Sequence, residues 1–172
     1  MTIGLLRAAL ALSVLAGSPF GIAAAEPKAL AKQGAWQAFA LPDKAKPVCY
    51  ALARPAKSEG AYAKRGEIYL TVTHRPADRA TGAVSFAAGY PLKPESEVSL
   101  QIGQESFRLY TVEETAWARD SDEKKLLTAL KAGKEAVVKG VSARGTATTD
   151  RFPLAGFPAT LAAIDKACNV KR

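Results

Sequence analysis

Histidine, cysteine and long apolar runs are scarce in this chain, and each scarcity removes a class of function. There is one histidine, His74, and there are two cysteines, Cys49 and Cys168, in 172 residues. No C-x-x-C pair, zincin helix, calcium loop or glycine-rich phosphate loop can be read from the sequence. Neither a metal nor a cofactor is therefore expected. Past residue 25 no apolar run approaches the about 20 residues that a membrane-crossing helix needs. Cations are plentiful, with Lys and Arg outnumbering Asp and Glu by 24 to 16 and a formal charge of +8. They are scattered, however, and no run of about five or six like charges marks a nucleic-acid tail. Such a charge favours solubility and contact with anionic surfaces.

What is present begins with an export signal. Arg7 precedes an apolar run from Ala8 to about Gly17, and Ala23 and Ala25 form an A-x-A end. The reading is a secretory leader over residues 1–25 and a single domain over 26–172, long enough at 147 residues to bury a real core. "LAGS" (Leu15–Ser18) has serine where a lipid anchor needs cysteine. Arg7 is the only charged side chain before Glu26, so cleavage lowers the formal charge from +8 to +7. The expected location is the periplasm or the medium, and export argues against a nucleic-acid partner.

In an oxidising compartment an even cysteine count favours a disulfide, and two cysteines allow one intramolecular pairing, Cys49–Cys168. Metal ligation is the weaker reading.

Most of the chain reads as strands. "EIYLTVTHRP" (Glu67–Pro76) alternates Ile68, Leu70 and Val72 with Tyr69, Thr71 and Thr73, the period-two mark of a half-buried strand. "AWQAFAL", "VCYALAR", "AVSFAAGYP", "EVSLQIG", "SFRLYTV", a short piece ending at Trp117, "EAVVKGVSARG" and "TTDRFPL" are further strand candidates, with turns at Gly103 and Gly145. Glu26–Gln33 reads as a polar lead with a helical turn, and "KSEGAYAKRG" as a loop. Two helices interrupt the pattern. One starts at Asp120, with Glu123 three residues on as in a capping box, and closes at Gly133. The other carries Phe157, Leu161, Ile164 and Cys168 at helical spacing. Eight or so strands without a βαβ rhythm predict a mainly β, β-sandwich-like antiparallel domain. Its C-terminal helix is packed on the sheet and tethered by the disulfide.

Catalytic signatures fail on inspection. "GVSARG" (Gly140–Gly145) has one residue too many for G-x-S-x-G, and a strand follows where a helix is required. A serine hydrolase would have to gather Ser142, Asp150 and His74 from distant positions, and His74 reads as a surface or interface side chain. "SDEK" (Ser121–Lys124) matches S-x-x-K, but a helix start explains it. The expectation is a protein that is not an enzyme.

"VVKGVSARGTATTDRFPLAGF" followed by "LAAIDKAC" is the most distinctive stretch of the chain. It is preceded in order by "VCYALARP", "YLTVTHRP", "FAAGYPLK" and "SLQIG…SFRLYTVEETAW". Together these pieces resemble the invasion-associated locus B family of exported alphaproteobacterial proteins. The resemblance implies an envelope or secreted protein, associated in pathogenic relatives with entering host cells, and it brings no catalytic residues with it. Some relatives carry more cysteines; this chain has the Cys49 and Cys168 pair alone. The expected role is non-enzymatic binding of an envelope or host-surface component, anionic in character, with Arg75, Lys139 and Arg144 as candidate contacts. The competing roles are an envelope-directed hydrolase and a structural assembly partner.

Overall fold

A computed structural model describes residues 26–41 and 47–172. The expected leader, residues 1–25, lies outside the described residues, as do residues 42–46. Eleven strands and two helices follow one another: β1 (Lys28–Gln33), β2 (Trp36–Leu41), β3 (Val48–Ala53), β4 (Lys57–Gly60), β5 (Tyr69–Arg75), β6 (Ala80–Ala87), β7 (Glu97–Ile102), β8 (Glu105–Val112), β9 (Thr115–Trp117), α1 (Asp120–Ala132), β10 (Glu135–Val141), β11 (Ala147–Pro153) and α2 (Phe157–Ala167). The strands form one antiparallel sheet in the order β1-β2-β3-β5-β6-β9-β8-β7-β10-β11-β4.

Register explains the core. Directly paired residues point to the same side of a sheet. The pairs Ala51↔Val72, Val72↔Val84, Leu70↔Phe86 and Phe86↔Ala116 carry one apolar face across β3, β5, β6 and β9. Val98↔Leu109, Leu100↔Phe107, Leu100↔Val138 and Ala136↔Phe152 carry it across β8, β7, β10 and β11. The sheet folds over on this face, so Phe86 meets Phe152 edge-on with ring centroids 6.2 Å apart. Near the other end of the strand order Trp36 Nε1 donates to the Pro153 carbonyl at 2.9 Å, joining β2 to the last residue of β11. The result is sandwich-like: two parts of one sheet enclose a core in which Trp36, Phe86, Phe152 and Phe157 are fully buried. Each such side chain contributes roughly 1.5–3 kcal/mol by leaving water.

The helices cover the openings. α1 buries Leu126, Leu127 and Leu130 against β6 and β8. α2 buries Phe157, Thr160, Leu161 and Ile164 against β1, β2 and β3, with Phe157 4.7 Å from Trp36. The helix ends at Cys168, which is bonded to Cys49 of β3 across a separation of 119 residues. The disulfide-tethered helix is therefore where the sequence pattern put it.

Four sequence expectations are corrected. Lys28–Gln33 is a strand, because a two-residue turn pairs it with β2 from Gln33↔Trp36 outward, and cross-strand pairing outweighs weak local helix preference. Lys57–Gly60 is a strand too, recruited by β11 through Thr148↔Gly60 to Arg151↔Lys57. These two additions account for most of the excess over the eight strands expected. Asp120 is the first residue of α1 rather than its cap. Arg119 occupies the cap with no side-chain bond, and the acids of the first turn act on the helix dipole alone. His74 is completely buried rather than a surface side chain.

Candidate binding site

Polar groups on the apolar face are the informative exceptions. Asp150 shares that face with Phe152, two residues on, and is fully buried. It is held by Arg65, from the segment between β4 and β5, through Nη1 at 2.8 Å and Nη2 at 2.6 Å. Arg65 Nε donates to the Ala88 carbonyl at 2.7 Å, so the guanidinium is satisfied along its working edge. The rings of Tyr62 and Tyr90 flank it, at 5.1 and 4.9 Å. Burial opposes the guanidinium charge, but the bonds to Asp150 and Tyr62 outweigh it and hold the Arg65 pKa above its ordinary value. Burial also raises the Tyr90 phenol, more than the Thr148 bond and Arg65 lower it, so the group stays neutral. Its hydroxyl meets Thr148 Oγ1 at 2.5 Å.

Above this floor lies a cleft of about 580 Å³. Tyr62, Tyr90, Ser142, Thr146 and Thr148 contribute hydroxyls and aromatic surface; Lys64 and Arg144 contribute cations, and Glu114 a carboxylate. Ser142 closes the β10–β11 turn: its backbone N–H donates to Thr146 O at 2.9 Å, and its Oγ accepts from Thr146 N–H at 3.1 Å. Lys64 and Arg144 make no ion pair among the described residues.

A second trough, about 790 Å³, runs between α1 and the outer side of β7, β10 and β11. Lys125, Lys134, Lys139 and Arg151 line it together with Glu105 and Glu135. Lys125 pairs with Glu105 at 3.6 Å and Arg151 with Glu135 at 3.0 Å. Lys134 and Lys139 pair with no carboxylate among the described residues.

The third polar cluster lies beside the disulfide. His74 is the cross-strand partner of Cys49. Its Nε2–H donates to Asp165 Oδ1 at 2.8 Å, and Arg172 Nε donates to the same carboxylate at 3.0 and 3.1 Å. Nδ1 is buried without a partner. Burial depresses the histidine pKa; Asp165 opposes the shift and Arg172 reinforces it. The ring is thereby kept neutral.

Of the expected contacts, Arg144 stands at the first cleft and Lys139 in the second trough, while Arg75 lies at the exposed end of β5 in neither. The structure does not gather the three. Nor do Ser142, Asp150 and His74 share partners: Ser142 is engaged by Thr146, Asp150 by Arg65, and His74 by Asp165. Asp150 is turned inward by the parity it shares with Phe152. Among the described residues no group of three or more His, Cys, Asp or Glu is placed to hold a metal ion. Arg65, Tyr62 and Tyr90 carried no sequence signal. His74 and Asp150 did, in the parity they share with Val72 and Phe152.

A family model described as "Invasion associated locus B (IalB) protein" matches residues 36–165. Among solved structures, the crystal structure of invasion associated protein b from Bartonella henselae matches with a TM-score of 0.55 at 19% identity. The match covers 81% of this chain and 96% of that one. At this identity the likeness bears on the fold, and it agrees with the sandwich-like architecture. No curated protein matches the sequence.

Proposed function

The chain belongs to the invasion associated locus B family, and on that premise we propose that it is a non-catalytic envelope protein, exported by its leader, that binds an anionic envelope or host-surface component. One observation carries this reading. In the cleft and the trough cations outnumber carboxylates, and the surplus cations, Lys64 and Arg144 in one and Lys134 and Lys139 in the other, have no acidic partner among the described residues; a third concavity, about 610 Å³, is lined by Glu95, Glu113 and Glu114 and is no anion site. An exposed lysine beside a carboxylate gains little by changing partner, whereas an unpaired one in a concavity where cations are in excess attracts anions. The buried Arg65–Asp150 pair and the disulfide make the scaffold stiff, which lowers the ordering cost of binding. No helix among the described residues is long and apolar enough to cross a membrane, in keeping with a protein that meets its partner from solution.

The test is retention of the purified protein on envelope fractions at two salt concentrations. Charge-led binding weakens as the screening length shortens from about 10 Å at 0.1 M to about 3 Å at 1 M. Retention that ignores salt, or turnover of an envelope substrate by the purified protein, counts against the reading. N-terminal sequencing of the exported protein tests the leader, with Glu26 as the expected first residue.

A further inference from the structure

We propose that the trough between α1 and the outer face of β7, β10 and β11 is the seat of a linear acidic saccharide, a chain whose repeat carries carboxylate, sulfate or phosphate. The inference rests on the anion-binding reading and names its site and ligand class. The outer face follows from the register. Gln101, Val137 and Arg151 are paired in one row across β7, β10 and β11, and Ser99, Lys139 and Thr149 form the next row. Two successive rows therefore offer an amide, two hydroxyls and two cations on one side of the sheet. Rows two residues apart along a strand are separated by roughly 6.6–6.8 Å, so the donors recur along the strand direction as groups recur along a polymer.

Lys125 and Lys134 close the trough from α1 and from the residues that follow it. Ile102, Ala129, Ala132 and Val137 supply a small apolar ledge, suited to the C–H faces of sugar rings. The wall is fixed. A Cβ on Gly133 would lie 2.4 Å from Ile102 Cγ2, so the end of α1 rests directly on β7. An open trough with cations from several elements suits an extended ligand lying across it. An acyl chain needs an enclosed apolar tunnel, and the tyrosine-lined cleft, about 580 Å³ against 790 Å³, is the smaller of the two.

The probes are a heparin-derived oligosaccharide, neutral dextran of equal length, and vesicles of anionic phospholipid in a zwitterionic background, each titrated calorimetrically. Binding of the heparin oligosaccharide and not of dextran is expected, with an affinity that falls as salt rises. Lys134→Ala combined with Lys139→Ala is expected to lower that affinity by at least roughly tenfold, about 1.4 kcal/mol, with an unchanged melting temperature. Lys64→Ala combined with Arg144→Ala is expected to leave it within about twofold. The reverse pattern moves the ligand to the other cleft and overturns this inference while sparing the anion-binding reading. Binding to vesicles without binding to heparin does the same in favour of lipid headgroups. Binding to none of the anionic probes overturns both.

Discussion

Arg65 and Asp150 stand 85 residues apart in the chain and meet through two N–H···O bonds of 2.8 and 2.6 Å, with 3% and 0% of their side-chain surface exposed. The pair fastens the segment after β4 to the inner face of β11 and forms the floor on which Tyr62 and Tyr90 stand. Removing one partner strands a buried charge, which costs about 3–5 kcal/mol, whereas replacing both by apolar groups of similar volume is far milder. Asp150→Ala is therefore expected to be more destabilising than Arg65→Met combined with Asp150→Leu. Urea unfolding of the three proteins decides it. A double variant weaker than the single one would show that the pair contributes net stability of its own.

The Cys49–Cys168 bridge closes a loop of 119 residues. Chain-entropy reasoning assigns about 4–5 kcal/mol to a loop of that length, an upper figure because native geometry and residual structure reduce it. Cys49→Ala with Cys168→Ala is expected to lower unfolding stability by several kcal/mol and to loosen α2 first. Hydrogen exchange should show protection falling over Phe157–Ala167 before it falls over β7, β8 and β10. Uniform loss across the domain would mean that α2 does not open independently.

His74 gives the domain a pH dependence whose sign is fixed by its surroundings. Burial holds its folded pKa below the ordinary value, and a second ring proton would sit at Nδ1, which has no partner. The unfolded state therefore binds the proton more readily. Stability is full above about pH 6.5, the unfolded value, and is lost as pH falls from there through the depressed folded value. The chain has no other histidine; the Glu123 carboxyl, raised by burial and by Asp120, acts in the opposite sense as pH falls, so the histidine's share is the part of the slope that its replacement removes. His74→Gln is expected to flatten the melting-temperature profile in that window, and an unchanged slope would assign the effect elsewhere.

Gly156 joins β11 to α2 with φ at +93°, and a Cβ there would lie 2.2 Å from the Gln33 carbonyl oxygen. Gly156→Ala should cost at least roughly 1–3 kcal/mol from the backbone conformation alone, with the clash added. Gly103 has φ at +57° with open space around it, so Gly103→Asn is expected to lie within about 1 kcal/mol of the parent. Thermal unfolding of both variants separates contact from conformation.

Much of this protein is legible in the order of its residues. Period-two alternation marks β5, β7, β8 and β10, helical spacing marks α2, and the cysteine count marks the bridge, because each of these is a local or countable property. The family, too, is read from short pieces in order. Parity even held the burial of His74 and Asp150, since Val72 and Phe152, two residues away, fix which face each side chain takes. Tertiary structure decided the rest. β1 and β4 are strands because β2 and β11 offer them edges, and no local preference encodes an edge. Arg65 is an ordinary cation in a loop until the folded sheet brings Asp150 to it across 85 residues. Lys139 and Lys134 become a site only where α1 lies beside the outer rows of β7, β10 and β11, because a binding surface is a property of distances that the chain acquires on folding.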